Sequence, residues 1–303
     1  MEPETLQWLG WPYVSRLYDR IKSTDTLTFR TWSLFRKAFP KDIDRHSTFR
    51  VLDWESENLL PSVIDRLVKL DLGMLTFLCI QTFNLTIDQL IALAKINTLA
   101  VLALEVGRDS LAFWDGTMSI HTIRNWGRSV SESGAFKELR VLVVDGCNSL
   151  PRRSVLKSIS SFPSLNLAGI FGSDDPPKAE DCWEDWHLRF PPNGRDETLQ
   201  HSVWGTSDTS RAFDMRRLYD ISLEISKNVP TGDRTYQSLS MQYTQHNKTG
   251  LAGEPAWFIR ELKDQPVRPM KRVQEDKSRL DGKRRKVRDD KKVDMGSLLG
   301  SFT

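Results

Sequence analysis

Cysteine is scarce in this 303-residue chain: Cys79, Cys147 and Cys182 are the only three, far apart and with no CxxC pair. A disulfide scaffold is thereby excluded, and a reducing compartment is indicated. Long hydrophobic runs are missing too. The most apolar stretch, Leu90 to Val106, holds 17 residues and includes Lys95, Asn97 and Glu105. A membrane helix needs about 20 residues with few charges, so no membrane partner is expected. The N-terminus is acidic early and has no basic region ahead of an apolar one, which excludes a secretory signal. Histidine is sparse and scattered, at His46, His121, His187, His201 and His246. The chain has no Gly-rich phosphate loop, no Gly-x-Ser-x-Gly, no HExxH and no paired metal motif. A non-enzymatic protein without cofactor or metal is the expectation. Cys182 and His187 alone are too few for zinc, which takes three or four ligands.

Aromatic residues, by contrast, are plentiful. Ten Trp and fourteen Phe need burial, so a wholly disordered chain is excluded. The length suits one large domain or two small ones. Charge is unevenly spread. Residues 263–294 carry 13 Lys and Arg against 7 Asp and Glu, net +6, which leaves the rest of the chain at −3.

Between these extremes lies a repeat. Five segments share the spacing of apolar positions one, four and six: Phe49 to Trp54, Leu75 to Ile80, Leu99 to Leu104, Leu139 to Val144 and Leu165 to Ile170. Their starts are 26, 24, 40 and 26 residues apart, the 40 implying an extra loop around Gly107 to Gly116. Helical periodicity fills the intervals. Ile87, Leu90, Leu93 and Ile96 share one face, Ile120, Ile123, Trp126 and Val130 another, and Val155, Leu156 and Ile159 a third. Each strand–helix unit has an apolar face that only a neighbour can cover.

The run Phe136-Lys137-Glu138-Leu139-Arg140-Val141-Leu142-Val143-Val144-Asp145-Gly146-Cys147, followed by Phe162-Pro163-Ser164-Leu165, resembles the leucine-rich repeat superfamily. Cys147 stands at the Asn/Cys position, and the spacing is similar to the cysteine-containing repeats often joined to F-boxes. The Trp-rich character also resembles repeat proteins of filamentous fungi. Phe83 and Gly107 depart from the pattern at position nine, and Ala168 replaces a leucine. The resemblance implies an α/β fold: a short leucine-rich-repeat solenoid with parallel strands on the concave side and helices on the convex side. Helical caps and a disordered basic C-terminal tail complete it.

The chain then divides into a helical N-terminal cap (1–48), the repeat region (49–172), a C-terminal cap with loops (173–262) and the basic tail (263–303). In the cap, Leu6, Leu9, Trp11, Tyr13, Val14, Leu17 and Ile21 suggest an amphipathic helix, and Leu27 to Trp32 a degenerate first strand. Arg211 to Asn228 reads as a helix and Leu239 to Tyr243 as a strand.

On the resembled fold, positions three and five face the concave side. They include Val51, Phe77, Cys79, Val101, Ala103, Val141, Val143 and Leu167, a largely apolar ribbon. Such a ribbon is either a groove for a partner peptide or helix, or a surface capped by the chain's own C-terminal part. In the tail, Lys271 and Arg272, a ten-residue spacer and Lys283, Arg284, Arg285 and Lys286 resemble a bipartite nuclear localisation signal. Its two basic clusters suit the two acidic pockets of importin-α. Met295, Leu298, Leu299 and Phe302 follow at i, i+3, i+4 and i+7, the anchor spacing of a helix that folds into a partner's groove.

A nuclear or nucleo-cytoplasmic scaffold that binds a protein through its concave face follows. The alternatives are an F-box-like substrate adaptor of a ubiquitin ligase and a protein tethered to nucleic acid by its tail. F-boxes usually open on a Leu-Pro pair; the two here, Leu60-Pro61 and Leu150-Pro151, fall inside the repeats.

Overall fold

The computed structural model describes residues 3–52, 59–69, 73–81, 86–105, 120–144, 151–171, 178–188, 204, 211–226, 236–244 and 255–260. All lie in one compact unit, Met1–Lys263; the second unit, Asp264–Thr303, lies outside the described residues. The fold is mixed α/β. Eight helices are described: α1 (Pro3–Leu9), α2 (Trp11–Ser23), α3 (Phe29–Ala38), α4 (Leu59–Lys69), α5 (Ile87–Ala92), α6 (Ile120–Ser133), α7 (Arg152–Ile159) and α8 (Arg211–Ile225). Eight strands join them: β1 (His46–Leu52), β2 (Leu75–Gln81), β3 (Leu99–Glu105), β4 (Val141–Val144), β5 (Leu167–Ile170), β6 (Trp186–Leu188), β7 (Ser238–Thr244) and β8 (Ala256–Arg260).

One sheet runs β1-β7-β2-β3-β4-β5-β8-β6. Its first six strands are parallel, and β8 runs antiparallel to both β5 and β6. Strands β2 to β5 follow one another in chain order, as successive strand–helix units require. The order fails at β1, because β7 lies between β1 and β2. An unbroken repeat ribbon is therefore not what forms. The segment expected to be part of a C-terminal cap fills a position inside the sheet, paired over seven residues on each side.

Strand alternation divides the side chains between two cores. On one face Leu78, Ile80, Leu102, Leu104, Leu142, Val144, Met241 and Tyr243 meet the buried residues of α1 to α7. In α5 and its 3-10 extension Leu90, Leu93 and Ile96 are buried as the periodicity requires, but Ile87 is exposed. Phe136 and Phe162, one repeat period apart, pack at a tilt with ring centres 5.3 Å apart, and Trp126 lies 5.4 Å from Phe136. The Trp126 indole N–H donates to the Leu90 carbonyl at 2.7 Å, which meets the need of a buried tryptophan for a partner.

The N-terminal helices differ from expectation for local reasons. Gly10, at φ 75°, breaks the amphipathic run into α1 and α2. The break resets the helical phase. In α2, Val14 and Tyr18 are the buried pair, four residues apart, and Tyr13 and Leu17 turn outward. Residues 29–32 are helix rather than strand, since the Thr28 side chain caps α3 by accepting from the Thr31 N–H at 3.2 Å. Trp32 and Phe29 of α3 then pack against Phe49 of β1, at 5.3 and 5.6 Å. Buried Arg36 donates to the Ile43 carbonyl at 3.1 Å and to Gln237 at the entry to β7.

Candidate functional site

The apolar ribbon expected as a partner groove is not free. Phe77, Cys79, Val101, Ala103, Val141 and Val143 have 0% of their surface exposed, and Leu167 has 2%. They form a second core with Met215, Leu218, Tyr219 and Leu223 of α8, together with Trp204, Trp257 and Ile259. The physical cause is that α8, together with Trp204, Trp257 and Ile259, brings enough apolar area to cover the strands. The capped alternative, not the open groove, is the one that forms.

Val51 is not part of this face. Through β7, Phe49 and Val51 stand level with Leu78 and Ile80, because Met241 pairs with Phe49 and Leu78 while Tyr243 pairs with Val51 and Ile80. Val51 thus packs into the core under α1 to α7. The sequence spacing aligned Phe49 with Leu75, three residues out of register. One strand out of phase moves its odd and even residues to opposite faces.

Both ends of α8 are tied to the sheet by polar groups. At its start, Arg211 forms an ion pair with Glu105 at the end of β3, Nε to Oε1 2.9 Å, with side chains 5% and 2% exposed. Arg211 also pairs with Asp214 at 3.2 Å and lies 4.6 Å from the centre of the Trp204 ring. Gln81 at the end of β2 donates to Glu105, and its carbonyl accepts from Gln242 and Thr244 of β7, both at 2.9 Å. Three parallel strands are thus laced together at their carboxyl ends. At the other end of α8, buried Asn166 donates to the Ser222 carbonyl at 2.7 Å and to Ser226 Oγ at 2.8 Å, and Arg140 donates to Ser226 at 3.0 Å.

Ligands of open α/β sheets usually enter at the carboxyl ends of the strands. Here Arg211 and Trp204 occupy that end of β3. Burial pushes the Cys79 thiol well up, with Glu105 adding to the shift, so the thiol stays protonated and unreactive. Burial also raises the Asp214 carboxyl, against the pull of Arg211. The arrangement is a clasp that holds helix to sheet. The signal for it in the sequence was Glu105 itself, a lone charge that ends an apolar strand.

Among the described residues, no group of three or more His, Cys, Asp and Glu could hold a metal ion. Cys182 Sγ accepts from the Leu188 N–H at 3.3 Å, and His187 is exposed. Among the described residues, no helix is long and apolar enough to cross a membrane. The import segment (Lys271, Arg272, Lys283 to Lys286) and the terminal motif (Met295, Leu298, Leu299, Phe302) lie outside the described residues.

Four large apolar side chains of α1 and α2 stand in solvent, and three of them, Leu9, Tyr13 and Leu17, belong to the set that the spacing had read as one amphipathic helix. Trp8 is 85% exposed, Tyr13 74%, Leu9 42% and Leu17 40%. Trp8 and Leu9 end α1, Tyr13 and Leu17 share one side of α2, and Arg16 and Arg20 are exposed on that same side.

Neither protein-family models, nor curated proteins, nor solved structures hold a match to this chain.

Proposed function

We propose that this chain is a non-enzymatic protein-interaction adaptor of leucine-rich-repeat type that docks through its N-terminal helices rather than through its sheet. The observation that carries this reading is the exposure of Trp8, Leu9, Tyr13 and Leu17 on two consecutive helices. Side chains of this size rarely stand together in water without a partner. Arginines 16 and 20 flank them, so the partner presents an apolar groove with an acidic rim. The successive neighbours β2, β3, β4 and β5, with α4 to α7 packed on one face, support the repeat character. The basic pair of clusters at 271–286 supports nuclear import through importin-α.

A second reading is favoured by element order. Three N-terminal helices precede the strand–helix units, the order of an F-box-like substrate adaptor of a ubiquitin ligase. The two readings share one surface and differ in what occupies it.

The test is purification of the full-length protein from its own cells beside a Trp8→Ser/Tyr13→Ser variant. Both positions are exposed, so the variant should melt with the parent. A protein recovered with the parent and absent from the variant supports the adaptor reading. If that protein is Skp1 together with a cullin, the ligase reading holds. Equal recovery of every partner by the two proteins overturns both. Separately, neutralising Lys271, Arg272 and Lys283 to Lys286 should abolish nuclear accumulation, and unchanged localisation removes the import assignment.

A further inference from the structure

A cavity of about 220 Å³ opens between α3 and α4, lined by Phe29, Arg30, Ser33, Lys37, Arg66 and Lys69. Four of its six lining residues are cations, one carries a hydroxyl, and none is acidic. Arg30, Ser33 and Lys37 lie along one face of α3, and Arg66 and Lys69, three residues apart, along one face of α4. Among the described residues, none of the four cations forms an ion pair.

Helix polarity accounts for part of this. Lys37 is in the last turn of α3, and Arg66 and Lys69 are in the last turn of α4, where a cation offsets the partial negative charge of the helix end. It does not account for Arg30. That residue stands in the first turn of α3, where a cation is disfavoured. Four like charges lining one cavity also repel each other unless an anion lies between them.

We propose that this cavity binds a compact anion with two or more phosphate groups. Two guanidinium groups, each able to grip phosphate oxygens in bidentate fashion, and two ammonium groups match that charge. The volume lies below the roughly 300–1,000 Å³ of sites for drug-sized ligands, so the phosphates enter rather than a whole nucleotide. Phe29 is the apolar residue in the lining. The same chemistry reaches the site from two sources, a free polyphosphorylated small molecule or the bisphosphorylated headgroup of a lipid. The proposal does not depend on the α1–α2 docking face.

The experiment is calorimetric titration of the full-length protein with pyrophosphate in 0.15 M salt, in parallel with thermal melting. Three variants accompany it. Arg30→Gln/Lys37→Gln and Arg66→Gln/Lys69→Gln empty the two walls. A tail variant with Lys271, Arg272 and Lys283 to Lys286 changed to Gln controls for loose binding by the basic segment. All the wall positions are exposed, so both wall variants should fold, and unchanged circular dichroism verifies this. Saturable binding that weakens about tenfold or more in each wall variant and is kept by the tail variant is the expected result. Binding to vesicles carrying phosphatidylinositol bisphosphate, lost with the walls, assigns the lipid source; no vesicle binding assigns the soluble one.

Three results overturn the proposal: no pyrophosphate binding, binding lost only with the tail, or wall-dependent binding of RNA or DNA without binding of pyrophosphate.

Discussion

The two faces of the sheet are closed in different ways. Among the described residues, seven helices lie over the first, and α4 to α7 each come next in the element order after a strand of the sheet. One helix, α8, covers most of the second, and it comes from well beyond the last repeat strand. The first face is largely apolar, braced by aromatic rings and by the indole hydrogen bonds of Trp126 and Trp186, with buried Arg36 as its charged exception. The second is apolar at its centre and polar at both ends of its helix, where Glu105, Arg211, Asn166 and Arg140 act as fastenings. Local closure needs only hydrophobic periodicity. Closure by a distant segment needs specific polar groups to set where that segment lands.

The largest effect should come from putting a charge under α8. Leu218→Asp places a carboxylate in the second core and should cost about 4 kcal/mol or more. Dye binding to the uncovered ribbon, with the first face still helical by circular dichroism, would show that the faces separate. A single cooperative loss of all structure would show that they do not.

Next is the clasp. Arg211→Met strands Glu105 in a buried site and should cost about 3–5 kcal/mol, measured by denaturant unfolding. The double variant Glu105→Gln/Arg211→Met should recover part of that loss, because the unpaired charge is gone. A double variant no better than the single one would mean that Arg211 acts through packing on Trp204 alone.

Gly169 tests the fit between strand and cover on the second face. A Cβ there would meet the Trp257 ring at 2.7 Å. Gly169→Ala should cost about 1–3 kcal/mol, less once Trp257→Leu makes room. On the first face, Thr28→Ala removes the α3 cap and should cost about 1 kcal/mol without disturbing the ribbon.

The smallest effect is set by pH. The Cys79 thiol is raised in the folded protein above its ordinary value of 9.0. The folded state therefore keeps a proton that the unfolded chain releases. The resulting stability is present below pH about 9 and is lost as the pH rises beyond it. Cys79→Ala should flatten that alkaline slope, and an unchanged slope would mean that the thiol is not held in the core.

What the sequence disclosed follows the same division. Helices α5, α6 and α7 and strands β2 to β5 were legible, because each places its apolar residues at a local period. Helix α8 and strand β7 were legible as elements, from Leu218 to Leu223 and from Leu239 to Tyr243. Their places were not. Nothing in the run Leu239 to Tyr243 states that it pairs with both Phe49 and Leu78, since parallel pairing is a long-range choice. The insertion of β7 then determines the register of β1 and with it the side on which Val51 lies. In the N-terminal cap, Gly10 reset a helical phase that the spacing of Leu9, Tyr13 and Leu17 had read as continuous. Thr28 was a capping signal hidden inside an apparent strand.

The most direct test of self-closure is the rate at which Cys79 reacts with a thiol reagent in the full-length native protein, read by peptide mass spectrometry. Cys79 has 0% of its surface exposed beneath α8, while Cys182 is half-buried. The structure predicts that Cys182 labels readily and that Cys79 labels only through unfolding, with Leu218→Asp greatly accelerating it. Native labelling of Cys79 as fast as in the denatured chain would contradict the account and restore the ribbon as an open groove.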